Sequence, residues 1–306
     1  MKLSQTNGPL FKYYNTPYET LEVLKKAGFQ YVDLSFWSRF VPGSDYFTRD
    51  LDEIADEYKA ALDKLELTPV QSHEPFGNSM GGDGGRFYFK KTPRSIELAG
   101  KIGVPSITLH AGINIEPMSR DEYLDKNAEI FRKLIPTAEK YGIKLLLENL
   151  AWKVDGVHLA DARDMLDLLD RLDNHPLFGI CWDCGHANLC GVDQYENIKL
   201  MGDKLWGLHI HDNLGPDVGK DMHVHPHWGN VNFDALITAL LEVGYKGTFN
   251  FEADAPGARS NAIPFEKDGV AQEKLALLPK DVRTMSETML YQIGKNMLEA
   301  YDCFEE

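Results

Sequence analysis

Residues 247–254 read Gly-Thr-Phe-Asn-Phe-Glu-Ala-Asp, and their alternation decides how the rest of the chain is read. In an extended strand, successive side chains point to opposite faces. Phe249 and Phe251 therefore share one face, while Thr248, Asn250 and Glu252 share the other. One bulky apolar face, one small polar face and a carboxylate at the end suit a strand in the wall of a closed barrel. The aromatics then pack on an outer helix layer and the polar set lines the interior. Three further segments have the same parity. In LWGLHIHDN (205–213), Trp206, Leu208 and Ile210 oppose Gly207, His209 and His211. In SITLHAG (106–112), Ile107 and Leu109 oppose Ser106, Thr108 and His110. In FGICWDCGHA (178–187), Phe178, Ile180 and Trp182 oppose Gly179, Cys181 and Asp183.

Outward from these four lie a weak strand near Lys2–Asn7 and the runs FQYVDLSF (29–36), LTPVQSHEP (67–75) and KLLLENL (144–150). Amphipathic stretches follow each. Thr16-Pro-Tyr-Glu19 and Ser119-Arg-Asp-Glu122 have the form of capping boxes. Four helical stretches, LEVLKKAGF, IELAGKIGV, LIPTAEKYGI and ALLEVGYKG, carry a glycine where a helix C-cap belongs. Eight strand–helix units without a long linker predict an α/β fold, a (β/α)8 barrel. The expected organisation is a single TIM-barrel domain over 1–306 with a long segment, 253–284, between the eighth strand and the last helix. A doubly wound sheet would carry a glycine-rich phosphate loop after its first strand, and none is present. GGDGG (81–85) follows the third strand and reads as a flexible loop over the barrel mouth, not as a helix start.

The chain has 306 residues and 43% hydrophobic content, enough for a substantial core. No apolar run is long enough to span a membrane, and the N-terminal stretch lacks the apolar run of a signal peptide, so a cytoplasmic protein is expected. Three of four cysteines, Cys181, Cys184 and Cys190, crowd together, and the fourth is Cys303. That spacing suits small buried thiols better than a disulfide framework, and Cys181-Trp-Asp-Cys184 has no second pair to complete a zinc ribbon. The formal net charge of −15 disfavours non-specific nucleic-acid binding; the densest basic cluster is only Lys90, Lys91 and Arg94.

The inward series end in acids and imidazoles at the C-terminal rim, where barrel enzymes build their sites. His73, His110, Glu148, Asp183, His209 and Glu252 come from six consecutive strands. Such a ring is costly to bury unless something compensates its charge, and a divalent cation does so. Five of the ten histidines, His209, His211, His223, His225 and His227, fall between Leu208 and Asn230. They divide into one strand end and one following loop. For His225 and His227 no chemical role follows, and solvation or loop packing is expected.

GICWDCGHANL, KLLLENL, LHIHDN followed by DMH, HWGNVNF and GTFNFEAD together resemble the xylose isomerase-like TIM barrel superfamily. That group includes sugar-phosphate isomerases and epimerases, ketose 3-epimerases and endonuclease IV. The resemblance covers nearly the whole chain. It implies a metal-dependent sugar or sugar-phosphate isomerase or epimerase working through an enediolate, with Glu148 and Glu252 as the proton-transferring pair. It also implies a divalent ion (manganese, cobalt, magnesium or zinc) on Glu148, Asp183, His209 and Glu252. His209 fits the family's H-x-x-D/E pattern, and His211 stays the alternate. His186 matches a residue that contacts substrate or a further metal. Against endonuclease IV, which binds three zinc ions, His73, His110, His186, Asp221 and His223 complete the ligand set. An abasic-site endonuclease therefore stays open, as does a C-glycoside-cleaving lyase subunit. The epimerases carry an arginine after the H-x-x-E; here Lys220 and His225 are the basic residues in its place. Trp152 and Phe76 are candidate walls for a sugar ring, and Arg259 is a candidate for an anionic group. The expected partner is a small carbohydrate, without membrane or nucleic acid, and homo-oligomerisation stays open.

Overall fold

A computed structural model of the chain describes residues 1–306 apart from 114–116, 152–158, 255–265, 269 and 272–277. Eight parallel strands form one sheet: β1 (Leu3–Thr6), β2 (Tyr31–Ser35), β3 (Thr68–His73), β4 (Ser106–Leu109), β5 (Lys144–Glu148), β6 (Phe178–Asp183), β7 (Leu205–His209) and β8 (Phe249–Phe251). Its order is β7-β6-β5-β4-β3-β2-β1-β8. The two ends meet through a single bridge between Ile210 and Phe251. There Ile210 N donates to Asn250 O (2.9 Å) and Glu252 N donates to Ile210 O (3.1 Å). The strands are thus a closed barrel with a thin seam between β7 and β8.

Helices surround it: α1 (Pro17–Ala27), α2 (Asp45–Thr48), α3 (Leu51–Leu65), α4 (Gly82–Ile102), α5 (Arg120–Arg132), α6 (Ile135–Tyr141), α7 (Ala162–Arg171), α8 (Cys184–Leu189), α9 (Gln194–Met201), α10 (Phe233–Glu242) and α11 (Lys280–Glu299). Thr16 and Glu19 form the expected reciprocal capping box on α1. At α5 only half of it forms, with Ser119 accepting from Glu122 N. Gly28, Gly103, Gly142 and Gly244 all adopt positive φ just beyond their helices. No helix among the described residues is long and apolar enough to cross a membrane.

The parity reading holds for the outer layer. Ile107, Leu109, Ile180, Trp182, Leu208, Ile210, Phe249 and Phe251 are all fully buried in the core between sheet and helices. Each such side chain contributes about 1.5–3 kcal/mol on burial. Trp206 departs from it. A register shift between β6 and β7 at Ile180/Cys181 lets its ring cover Gly179, where an added Cβ would lie 2.2 Å from the indole.

Three further expectations are corrected. FGICWDCGHA is not one strand: β6 stops at Asp183, whose carboxylate caps α8 by accepting from His186 N at 2.6 Å. His186 therefore reaches the rim from a helix. GGDGG is not a loop over the mouth, because α4 opens at Gly82. The helix runs on to Ile102 and packs on α3, although glycine costs about 1 kcal/mol per residue in a helix. Likewise the last helix begins at Lys280, inside the 253–284 segment, which also holds a short hairpin of Glu266–Lys267 with Val270–Ala271.

Candidate metal centre

Glu148, Asp183 and His209 are the last residues of β5, β6 and β7, and Glu252 follows β8 directly. Each offers one ligand atom to a common space, all within 4.8 Å of one another. His209 Nδ1 lies 3.1 Å from Glu148 Oε1, 3.3 Å from Glu252 Oε2 and 3.9 Å from Asp183 Oδ2. Ligands about 2.0–2.2 Å from a tetrahedral ion are about 3.3–3.6 Å apart, so the space is the size of one ion. Glu148 Oε1 and His209 Nδ1 are buried with no hydrogen-bond partner, which in a native site calls for a missing one. The donor set, three carboxylates and an imidazole, suits a divalent cation.

Two further groups flank this centre. His73 Nε2 lies 3.2 Å from His110 Nε2 and 3.4 Å from Glu148 Oε2, and His110 Nε2 lies 2.9 Å from the same oxygen. Glu148 therefore turns one oxygen to the centre and the other to this pair. On the far side, Asp221 Oδ2 lies 3.3 Å from His186 Nε2 and 3.0 Å from His223 Nε2. His211 also falls within reach of that group. Its ring, however, stacks on His223 at 3.8 Å and 12°, so an ion in the plane of one ring lies well out of the plane of the other. Its Nε2 sits 3.0 Å from the Asp183 carboxylate. His211 is better placed to brace Asp183 than to ligate an ion beside His223.

The imidazoles are oriented by the main chain. A carbonyl only accepts, so His73 Nδ1 donates to Glu74 O (2.8 Å), His186 Nδ1 to Asn149 O (2.9 Å) and His223 Nδ1 to Glu252 O (2.8 Å). Their Nε2 atoms are left facing the clusters, as second partners do for metal-bound histidines. Electrostatics runs the same way. Burial alone would lower His73 and His223, but Glu148 and Glu252 lift His73 to about 9 and Asp221 lifts His223 to about 10. His186 and His209 are also pushed up, against burial, by neighbouring acids and, for His209, the Cys181 thiol. Burial would raise Glu148, yet the charges of His209 and His110 hold it well below the ordinary carboxylate range. Protons on the imidazoles thus balance the acids, the service a cation would perform.

All ten predicted ligand candidates, His73, His110, Glu148, Asp183, His186, His209, His211, Asp221, His223 and Glu252, converge here. Phe76 lies near the rim, 59% exposed, with its ring against Trp37 at 5.9 Å. Trp152 and Arg259 lie outside the described residues. His225 cannot stand in for an arginine: it is fully buried near Ser286, where burial and Arg283 lower its pKa to about 4. Lys220 is exposed. His227 is exposed beside the Phe233 ring. All four cysteines are free thiols, and Cys181, Cys184 and Cys190 are buried. Three residues with a part in the site had not been singled out. Asn149 clasps the Asp183 backbone from both ends of its amide, and Gln71 and Asp33 sit beneath His209. Gln71 shares the inward parity of His73 on β3, the one signal that could have found it.

A model of the family described as xylose isomerase-like TIM barrel matches residues 21–280. The chain is 28% identical to 2-oxo-tetronate isomerase of Haemophilus influenzae over 238 residues, 75% of this chain and 84% of that one. Two other curated relatives, 31% and 29% identical, are spanned over only 62% and 50% of their length. Among solved structures, a D-tagatose 3-epimerase-like protein superposes with a TM-score of 0.71 at 20% identity, covering 99% of this chain and 98% of that one. The IOLI protein with a bound zinc atom gives 0.70 at 18% identity, covering 97% and 96%. At these identities the superpositions speak to the fold.

Proposed function

Because the chain belongs to the xylose isomerase-like TIM barrel family, we propose that it is a divalent-metal-dependent isomerase or epimerase acting on a sugar or sugar derivative. One observation carries this reading. Two buried, unpartnered ligand atoms, Glu148 Oε1 and His209 Nδ1, share an ion-sized space with Asp183 and Glu252. The relatives named isomerase and epimerase supply the class of chemistry. Glu148, Asp183, His209 and Glu252 would hold the ion, which when bound polarises a substrate carbonyl and its neighbouring hydroxyl.

The chain's own residues would then move a proton on the carbon beside that carbonyl. Glu252 is the more accessible base, with 18% of its side chain exposed against none for Glu148. It takes the proton to leave an enediolate, and Glu148, three strands away round the barrel, would relay one back from its own side, drawn from the protonated His73 imidazole whose Nε2 lies 3.4 Å from Glu148 Oε2. General acid–base catalysis of this kind accelerates a reaction by about 10²–10⁴-fold.

The test is metal analysis of the purified protein, then incubation with candidate ketoses and oxidised glycosides in D₂O. We expect bound divalent metal and deuterium at the carbon beside the carbonyl, with exchange abolished in both Glu148→Gln and Glu252→Gln. Absence of exchange with every substrate, or full activity in either variant, refutes the assignment. The three adjoining clusters also favour a second reading, an abasic-site nuclease with three zinc ions. Against it stand the net charge of −15 and the engagement of the basic cluster, since Arg94 donates to Tyr46 O and Arg49 O, and Lys91 to Phe76 O. Three zinc ions together with cleavage of abasic duplex DNA would transfer the assignment.

A further inference from the structure

His209 differs from its neighbours. His73, His186 and His223 are set by main-chain carbonyls, but the outer nitrogen of His209, Nε2, meets a side chain: it lies 2.9 Å from Gln71 Nε2. Gln71 is buried and also donates to Asp33 Oδ2 at 3.3 Å. Asp33, fully buried, accepts from Asn250 Nδ2 at 2.9 Å, and Asn250 Oδ1 accepts from Ser4 Oγ at 2.7 Å. The ring thus stands on a polar column inside the barrel. Gly207 leaves room for it, since a Cβ there would lie 2.6 Å from Gln71 Oε1.

A glutamine amide donates at one end and accepts at the other. With its NH₂ toward the ring, Nε2 of a neutral His209 must accept, the ring proton sits on Nδ1, and Nδ1 has no lone pair for an ion. With the amide turned over, Oε1 accepts from Nε2–H and the Nδ1 lone pair is free toward Glu148, Asp183 and Glu252. Turning the amide over gives up the bond from Gln71 to Asp33, which keeps its bond from Asn250.

We propose that Gln71 is a positioning residue for the metal centre: its amide oxygen fixes the His209 ring and tautomer in the form that binds an ion through Nδ1. This rests on the metal-centre reading above. The test is titration of the metal-free full chain with Co²⁺ alone, following both affinity and the visible ligand-field bands. Gln71→Met, which fills the space without a hydrogen bond, should weaken the four-ligand centre by about 10- to 100-fold and alter its bands. The His186–Asp221–His223 group should keep its affinity in that variant. Gln71→Glu, which still offers an acceptor to Nε2–H, should retain more of the four-ligand affinity than Gln71→Met. Should Gln71→Met bind Co²⁺ as the parent does, or lose both groups equally, the assignment to Gln71 fails. Should the parent itself bind no Co²⁺, the metal-centre reading fails first.

Discussion

Replacement of Arg283 by methionine tests how the last helix holds the site. The Arg283 side chain is fully buried, donating to Asp254 Oδ1 at 2.8 Å and to Glu287. Glu287 is also fully buried and has one further donor, Gln5 Nε2 at 3.1 Å, whereas Asp254 also has Lys12 Nζ at 2.9 Å. Methionine keeps much of the volume but leaves Glu287 without a cation among the described residues. Removing one partner of a buried ion pair costs about 3–5 kcal/mol. At about 2–4 °C per kcal/mol for large domains, Tm should fall by about 6–20 °C. The loss should depend on pH. Burial already raises Glu287 and Arg283 opposes it. Without Arg283 the folded-state pKa rises further above the unfolded value, so the folded chain holds the proton more tightly and the penalty shrinks as pH falls through that pKa. Urea unfolding at about pH 5 and about pH 8 reads both effects, and Arg283→Met/Glu287→Leu should recover most of the loss. A single-variant cost below about 1 kcal/mol, or one independent of pH, would refute the buried-pair reasoning. The damage should also reach the second cluster, because Asp254 N donates to His223 O at 2.6 Å.

Two further predictions concern protons. His225 is buried with its pKa lowered to about 4, below the unfolded value of 6.5, so the unfolded chain takes up the proton first. Its contribution is complete above about pH 6.5 and is lost as pH falls toward about 4, at most about 3 kcal/mol. His225→Phe should flatten that part of the stability–pH profile in urea titrations; an unchanged profile would show that His225 does not titrate this way. His73 and His223 keep protons up to about 9 and about 10, so protons compete with an ion. Zn²⁺ affinity should therefore rise with pH between about 6 and about 9, by up to about tenfold per unit for each displaced proton. Calorimetry in two buffers should register the release, and affinity that ignores pH would argue against these imidazoles as ligands.

The barrel was legible because its signals are local. Strand parity at Phe249/Phe251 and Leu208/Ile210 gave the inward face, and glycine after the helices gave their ends. The six strand-end candidates, His73 to Glu252, were legible for the same reason, each a polar side chain at the end of an inward series, whereas His186, on α8, and Asp221 and His223, in a loop, were marked only by the family resemblance. What escaped depended on register or on distant partners. The ring of Trp206 turns over Gly179 through a β6–β7 shift that neither strand announces alone. α4 starts at Gly82, inside five residues of glycine-rich sequence whose propensity points away from a helix. For His225 the sequence leaves solvation and loop packing open; packing is what forms, and its neighbours Arg283 and Ser286 lie some sixty residues on. Gln71 and Asp33 matter because β3 and β2 place them beneath His209, a relation of which the only short-range trace is the parity Gln71 shares with His73.

The thin seam has a consequence for how the ring of strands stays shut. β7 and β8 are joined by one bridge at Ile210 and Phe251, while every other neighbouring pair has a ladder of its own. His209 and Glu252 stand on opposite sides of that joint, 3.3 Å apart at their ligand atoms. An ion held by both, as proposed above, would be a clasp across the weakest stave junction, and its binding would add to the stability of the closed ring.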